Sequence, residues 1–381
     1  MKFGGTSVGS AERIRGVVER VRERLSLRPV VVVSALSGVT DLLIRGAGMA
    51  LERNQGTEEI VQELKTRHRE VATELTTAGE ARLALFAHIN SVLAELSAFF
   101  VGVHNLGELS PRSLDAISAM GERLSHEIVA AAMNEQGLAA QAVDARGLLV
   151  TDDTFGRALP LTDETEARVR EALLPLVKAG RVPVLPGYIA ATRDGITTTL
   201  GRGGSDYSAS IIGAALPAEA IQIWTDVDGM LTVDPRVVKT AKVLSEVSFA
   251  EAAELAYFGA KVLHPATIKP AVEKGIAVGI LNTLNPTAPG TLITERTGEP
   301  EGGARAIAFK KGISVILIAQ PRMLMAYGFV ARVFEVFDRH RTPVDLIASS
   351  TVSEIETSDV AIRSTGVRCR SNTSNTRATK P

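Results

Sequence analysis

Residues 10–34 read SAERIRGVVERVRERLSLRPVVVVS, and two different periods meet inside this stretch. Ile14, Val17, Val18, Val21 and Leu25 recur at the three- and four-residue steps of an amphipathic helix, with Ser10 before it and Glu12 in its first turn. Pro29 to Val33 then run apolar without alternation, the pattern of a strand buried on both faces of a parallel sheet. The same pattern marks 182–185 (VPVL), 220–224 (AIQIW) and 276–281 (IAVGIL). Strands alternating with helices predict an α/β sandwich with a mainly parallel sheet.

Working outward, residues from about 57 to 137 read almost entirely as helix, which predicts a helical insertion beside the sheet. TRDGITTTL (192–200) predicts a hairpin turning at Asp194-Gly195. Ser248-Phe249-Ala250-Glu251 is a capping box, opening a helix expected to stop at Gly259. Residues 285–303 are low in hydrophobicity and rich in Pro and Gly, and read as a domain boundary. Strand, helix and strand are expected at 313–318, 326–339 and 344–347, and apolar periodicity fades from about Ser353.

Composition excludes several classes. The 381 residues are 45% hydrophobic and 22% charged with a net charge of −1, so nothing points to nucleic acid or an anionic membrane. The single cysteine, Cys369, rules out a disulfide framework and suits a reducing cytoplasm. No run of about 18 apolar residues and no signal-peptide layout is found, so the expectation is a soluble, cytoplasmic, two-domain chain.

Four short constellations carry candidate chemistry. Lys2-Phe3-Gly4-Gly5-Thr6-Ser7 joins a lysine at a strand end to glycines and hydroxyls, as a phosphate cradle does; an ordinary glycine turn is the plain alternative. It is not a Walker loop, since no G-x-x-x-x-G-K-[ST] occurs. Gly201-Arg202-Gly203-Gly204-Ser205-Asp206 offers an anion nest and a guanidinium fork, although Ser205 and Asp206 could simply cap a helix. Trp224-Thr225-Asp226, with Asp234-Pro235-Arg236 soon after, leaves a buried strand where ligands of α/β sheets sit, or else forms a surface turn. Gly121-Glu122 lies within a helix expected over 113–134, where Ser118, Gly121, Glu122 and Ser125 share one face; Glu122 could hold an ammonium group or stand in water. The histidines, His264 among them, lack metal-ligand spacing, so no metal site is predicted.

Taken together and in order, KFGGTS (2–7), SALSGVT (34–40), GERLS (121–125), TTTLGRGGSD (197–206), WTDVDGMLTVDPR (224–236) and FGAKVLHPAT (258–267) resemble the aspartokinase family of amino-acid kinases. Residues 323–350 resemble the start of its lysine-sensing ACT-type region. The resemblance implies a three-layer αβα sandwich over 1–296, a partial, incomplete ACT-like α+β domain over 304–352, and a disordered or aberrant tail over 353–381. It implies ATP with Mg²⁺ and L-aspartate as partners, and phosphorylation of the aspartate β-carboxylate, the first step towards lysine, threonine and methionine. Lys2, Phe3, Gly4 and Gly5 would take the phosphates and Asp206 would orient the lysine. Thr40, Glu122 and Arg202 would hold aspartate, with Ser34 and Ser205 nearby. Thr225, Asp226, Leu231, Arg236 and Lys261 would line the ATP site, Leu231 standing where relatives often carry a tyrosine. Met323, Gly328, Phe329, Val344 and Asp345 would be a vestigial lysine site, leaving activity insensitive to lysine, and a folded regulatory region would make the chain a homo-oligomer. The chemistry agrees: an acceptor carboxylate is already ionised at neutral pH, so aligning two anions replaces general-base catalysis. The rivals are an acetylglutamate or glutamate kinase, and a nucleotide-binding remnant without catalysis.

Overall fold

A computed structural model describes residues 1–257, 263–295, 305–308, 316, 318, 327–342, 344, 362–364 and 367–369. Contacts divide the chain into two compact units, Met1–Gly302 and Gly303–Pro381.

The helix and strand of the decisive stretch form as α1 (Ala11–Arg22) and β2 (Val31–Val33), after the two-residue β1 (Lys2–Phe3). Ser10 caps α1 by accepting from the Arg13 amide at 3.3 Å, and α1 buries Ile14, Val17, Val18 and Val21. β2 is buried along its whole length. The helical insertion is α2 (Val39–Leu51), α3 (Thr57–Leu75), α4 (Glu80–Leu106), α5 (Pro111–Ser118) and α6 (Met120–Glu135). Among the described residues α4 is long and apolar enough to cross a bilayer. One of its faces, from Leu85 through Ile89, Leu96 and Phe100, belongs instead to the main core.

The remaining elements of the first unit are β3 (Ala140–Ala142), β4 (Val150–Thr151), α7 (Thr162–Lys178), β5 (Val182–Pro186), β6 (Ile189–Thr192), β7 (Thr197–Thr199), α8 (Gly204–Ala215), β8 (Ala220–Thr225), β9 (Glu246–Ser248), α9 (Phe249–Tyr257), α10 (Lys269–Glu273), β10 (Ala277–Asn282) and β11 (Thr291–Thr294). Eight strands form one sheet in the order β3-β5-β2-β1-β8-β10-β11-β9, and only the β10–β11 pairing is antiparallel. A small mixed sheet, β4-β6-β7, contains the expected hairpin, with Gly195 at φ 77° in its turn. Phe3, Val31, Val33, Val182, Val184 and Trp224 on one face of the large sheet join α1, α4 and α6 in the core, while α8 and α10 cover the other face. The result is a three-layer α/β sandwich.

Several expectations shift in detail. The helix expected over 113–134 divides between α5 and α6, so Gly121 falls in the first turn of α6 rather than mid-helix. β11 lies inside the low-hydrophobicity stretch 285–303, where its Thr291 hydroxyl donates to Leu244 O at 2.7 Å and accepts from the Met230 amide at 2.8 Å. The Ser248–Glu251 capping box closes reciprocally, the Ser248 amide donating to Glu251 Oε2 at 2.7 Å. Gly259 lies outside the described residues, as do the strands expected at 313–318 and 344–347, apart from single positions. In the second unit α11 (Phe329–Arg339) forms within the helix expected over 326–339, and β12 (Ile362–Ser364) pairs antiparallel with β13 (Val367–Cys369).

Candidate active site

Parallel register brings the motifs to one edge. The pairings place Phe3, Val33, Pro186, Trp224 and Leu281 in a single row, so the chain leaves the sheet nearly in step, at Gly4, Ser34, Gly187, Asp226 and Thr283. This is the carboxyl edge, where ligands of open α/β sheets bind. α6 and α8 each precede a parallel strand, so both direct their N-termini to the same edge.

The pleat separates Lys2 from Phe3. Phe3 is wholly buried and stacked on Trp224 with 5.9 Å between ring centroids, so its side chain serves the core and not a ligand. Lys2 faces α8, and its Nζ lies 2.7 Å from Asp206 Oδ1 in that helix's first turn. Space is tight at Gly5, where a Cβ would stand 3.0 Å from Ala35 O, whereas one on Gly4 would make an ordinary contact, 3.5 Å from Lys2 Nζ.

Glu122 is not the exposed glutamate of the plain alternative. It is only 4% exposed, and its Oε2 has no hydrogen-bond partner among the described residues. Burial pushes its carboxyl up to about 8, although the backbone amides of Ala35 and Glu122 and the charge of Lys2 oppose the shift. Gly121 permits this placement, since a Cβ there would fall 2.7 Å from Ala35 Cβ and 3.1 Å from Val39 Cγ1. One turn on, Ser125 Oγ donates to Ser34 O at 2.8 Å, and Ser34 Oγ donates to Ser205 Oγ at 3.0 Å. Ser125, Ser34 and Ser205 are thus linked by hydrogen bonds, and the Lys2–Asp206 pair lies at the same sheet edge.

Thr40 is half-buried at the start of α2, behind Gly38 in the left-handed region at φ 79°. Arg67 of α3 donates to Ser37 O at 2.6 Å and holds that turn. Arg202 is exposed between two left-handed glycines, Gly201 at φ 73° and Gly203 at φ 71°, and has no ion-pair partner among the described residues. Thr225 ends β8 and Asp226 follows it, with Thr225 Oγ1 donating to Asp226 Oδ1 at 3.2 Å. Leu231 is half-buried and bridges Val243, while Arg236 is exposed and forked onto Asp234 at 2.7–3.2 Å. Lys261, Met323 and Asp345 lie outside the described residues. Gly328 caps α11 at φ 70°, Phe329 is its first residue, and Val344 is exposed.

Two residues of this site escaped the motifs. Tyr188 follows β5 at φ 67°, its Oη 3.4 Å from Ser118 Oγ, and burial pushes its phenol up with Glu122 and Asp115 adding to the effect. Its one signal is position, two residues past the buried run 182–186. Asp115 is 2% exposed and, among the described residues, its carboxylate accepts from Gly156 and Thr199, both distant in sequence, so no local pattern announces it.

The description "Amino acid kinase family" fits a family model matched over residues 1–282. Lysine-sensitive aspartokinase 3 of Escherichia coli is 38% identical over 360 residues, covering 94% of this chain and 77% of that one. The chain belongs to the aspartokinases of the amino acid kinase family. Aspartokinase 2, chloroplastic, of Arabidopsis thaliana is 38% identical over 376 residues, and the aspartokinase chain here spans about two thirds of its length. Among solved structures, E. coli aspartokinase III in complex with aspartate and ADP matches with a TM-score of 0.77 and 34% identity, over 92% of this chain and 76% of that one. The aspartokinase three-layer fold and its mixed side sheet are thereby shared with an experimental structure.

Proposed function

We propose that this chain transfers the γ-phosphoryl group of ATP to the β-carboxylate of L-aspartate, giving an acyl phosphate. The observation that carries the proposal is Glu122. A buried carboxyl with one oxygen unpartnered is a site lacking a cation, and the α-ammonium of an amino acid supplies one. Arg202, exposed on its glycine loop, provides the complementary fork for the α-carboxylate. The β-carboxylate then faces the phosphate cradle of Lys2, Gly4 and Gly5. Lys2 offsets the repulsion between the two anions, and Asp206 holds the lysine in place at 2.7 Å. No general base is needed, because the acceptor is ionised at neutral pH.

Thr225, Asp226, Arg236 and Lys261 we assign to the nucleotide, with Leu231 as the apolar contact in that loop. Mg²⁺ would come with ATP and offset the charge of its phosphates; among the described residues no group of three His, Cys, Asp or Glu side chains could hold a metal alone. The relatives support the substrate pair, since the E. coli structure carries aspartate and ADP. A reducing cytoplasmic compartment belongs to the same proposal.

A phosphotransfer assay with MgATP and a panel of aspartate, glutamate, acetylglutamate and other amino acids tests it. Aspartate is expected to give the highest kcat/KM. Preference for acetylglutamate or glutamate would move the chain to another amino-acid kinase activity, and nucleotide binding without transfer to any acceptor would overturn catalysis.

A further inference from the structure

We infer that Asp115 is a positioning residue that fixes Arg202 relative to Glu122 and so sets which amino-acid length the site accepts. The inference rests on the proposed aspartate kinase reading and deepens it. Asp115 lies on α5, buried, and its carboxylate takes three hydrogen bonds: Gly156 N at 2.9 Å and Thr199 N at 2.9 Å to Oδ2, and Thr199 Oγ1 at 2.8 Å to Oδ1. Two N–H groups and a hydroxyl converge on the carboxylate; an amide could keep both N–H bonds through its oxygen only by turning its NH2 to Thr199 Oγ1, and it would lose the charge that strengthens all three.

The location of those donors gives the cluster its purpose. Thr199 is the last residue of β7, three positions before Arg202, and Gly156 supplies the floor beneath the same loop. A Cβ on Gly201 would stand 3.0 Å from Gly156 O and 3.5 Å from Arg157 Cα, so the glycine loop lies directly on this segment. Asp115 thus ties down the loop and its floor with one carboxylate.

The other end of the same helical line holds Glu122. Asp115, Ser118 and Glu122 fall at i, i+3 and i+7 along α5 and the start of α6, on one face. Ser118 Oγ donates to Asp115 O at 3.2 Å and contacts Tyr188 Oη at 3.4 Å, and burial keeps all three residues out of water. The helix therefore carries one ligand group, Glu122, directly and the other, Arg202, through Asp115. The spacing of the two ends of the amino acid is set by helix geometry, not by a flexible loop. A substrate one methylene longer would bring its side-chain carboxylate to the phosphate cradle at a different depth.

The test compares the wild-type chain with Asp115→Asn, and with Thr198→Val as a control. Thr198 Oγ1 bonds Thr151 Oγ1 at 2.7 Å on the opposite face of β7, so its loss weakens the small sheet without touching the tether. In Asp115→Asn the KM for aspartate is expected to rise roughly tenfold or more, with the KM for ATP within about twofold. The kcat/KM ratio of aspartate over glutamate is expected to fall by roughly tenfold, because discrimination of a single methylene rests on placement. Thr198→Val should lower the Tm by a comparable amount and leave that ratio unchanged. An unchanged ratio and aspartate KM in Asp115→Asn would overturn the inference while leaving aspartate kinase activity intact. If the wild-type chain phosphorylates no amino acid, the functional reading fails instead. Tethering is then judged by amide hydrogen exchange over 199–204: faster exchange in Asp115→Asn supports it, and equal exchange overturns it.

Discussion

Two charged regions share the carboxyl edge of the sheet and differ in one respect. Lys2 and Asp206 are paired within the chain at 2.7 Å. Among the described residues Glu122 and Arg202 have no salt-bridge partner, the one buried and protonation-shifted, the other exposed. A pair satisfied in advance suits a group that must stay fixed while charge passes it, as preorganised electrostatics require. Charges left unsatisfied suit groups whose partner is the ligand, since binding then removes a standing penalty. On the proposed reading, the phosphoryl end is built for rate and the amino-acid end for recognition.

Removing the paired cation should give the largest effect. Lys2→Ala is expected to lower kcat by about 10²-fold or more with the aspartate KM little changed, because one preorganised donor to a transition state is worth that much. Steady-state kinetics check it, and a near-normal kcat would erase the division between the two ends. Arg202→Ala and Glu122→Gln should act on the other side of it. Each is expected to raise the aspartate KM by roughly ten- to a hundredfold through the loss of one charged contact, with the ATP KM nearly constant. A selective loss of ATP affinity would mean the two regions serve the reverse substrates.

The comparison sharpens with pH. Because burial raises the Glu122 carboxyl to about 8, this group is neutral in the free enzyme near pH 7 and must lose its proton to meet an ammonium. Aspartate binding should therefore tighten about tenfold per pH unit up to about 8 and release a proton below it. Calorimetry in buffers of different ionisation enthalpy measures that proton, and Glu122→Gln should abolish it.

The smallest effect tests whether any orphaned buried group implies a ligand. His68 on α3 is fully buried with Nε2 unpartnered, and burial lowers its pKa to about 4, with the Leu64 carbonyl opposing the shift and Arg67 adding to it. The folded-state pKa lies below the ordinary 6.5, so the neutral ring contributes stability above 6.5 that is lost as pH falls towards 4. At about pH 5.5 the loss should be on the order of 1 kcal/mol, read from urea midpoints, and His68→Leu should flatten the dependence. No change in any substrate KM is expected. Orphaned groups report on recognition only at the sheet edge.

Much of this arrangement was legible in the chain, for identifiable reasons. The run Pro29–Val33 could only be a doubly buried strand, and the glycine motifs each announced a close backbone approach, which Gly5 and Gly121 make against Ala35. β11 was hidden because a threonine hydroxyl, not hydrophobicity, anchors it between Met230 and Leu244. Asp115 was hidden because its partners lie 41 and 84 residues away and are mostly backbone amides, which carry no side-chain signature. The division at Ala119 left no mark because that residue keeps helical angles, φ −65° and ψ −18°. Tyr188 could be located by its strand but not by its left-handed backbone, a conformation that an aromatic residue rarely takes.

The two-residue strand β1 also acts as a check on assembly. Lys2 and Phe3 project to opposite faces, one to Asp206 and the other into the core beside Trp224. A slip of one residue against β2 and β8 would exchange them, leaving an ammonium among Val33 and Trp224 and a phenyl ring at the phosphate cradle. Such a chain would be unstable and inactive for the same reason. A correctly paired β1 therefore serves the fold and, on the proposed reading, the placement of the lysine together, so one register decides both.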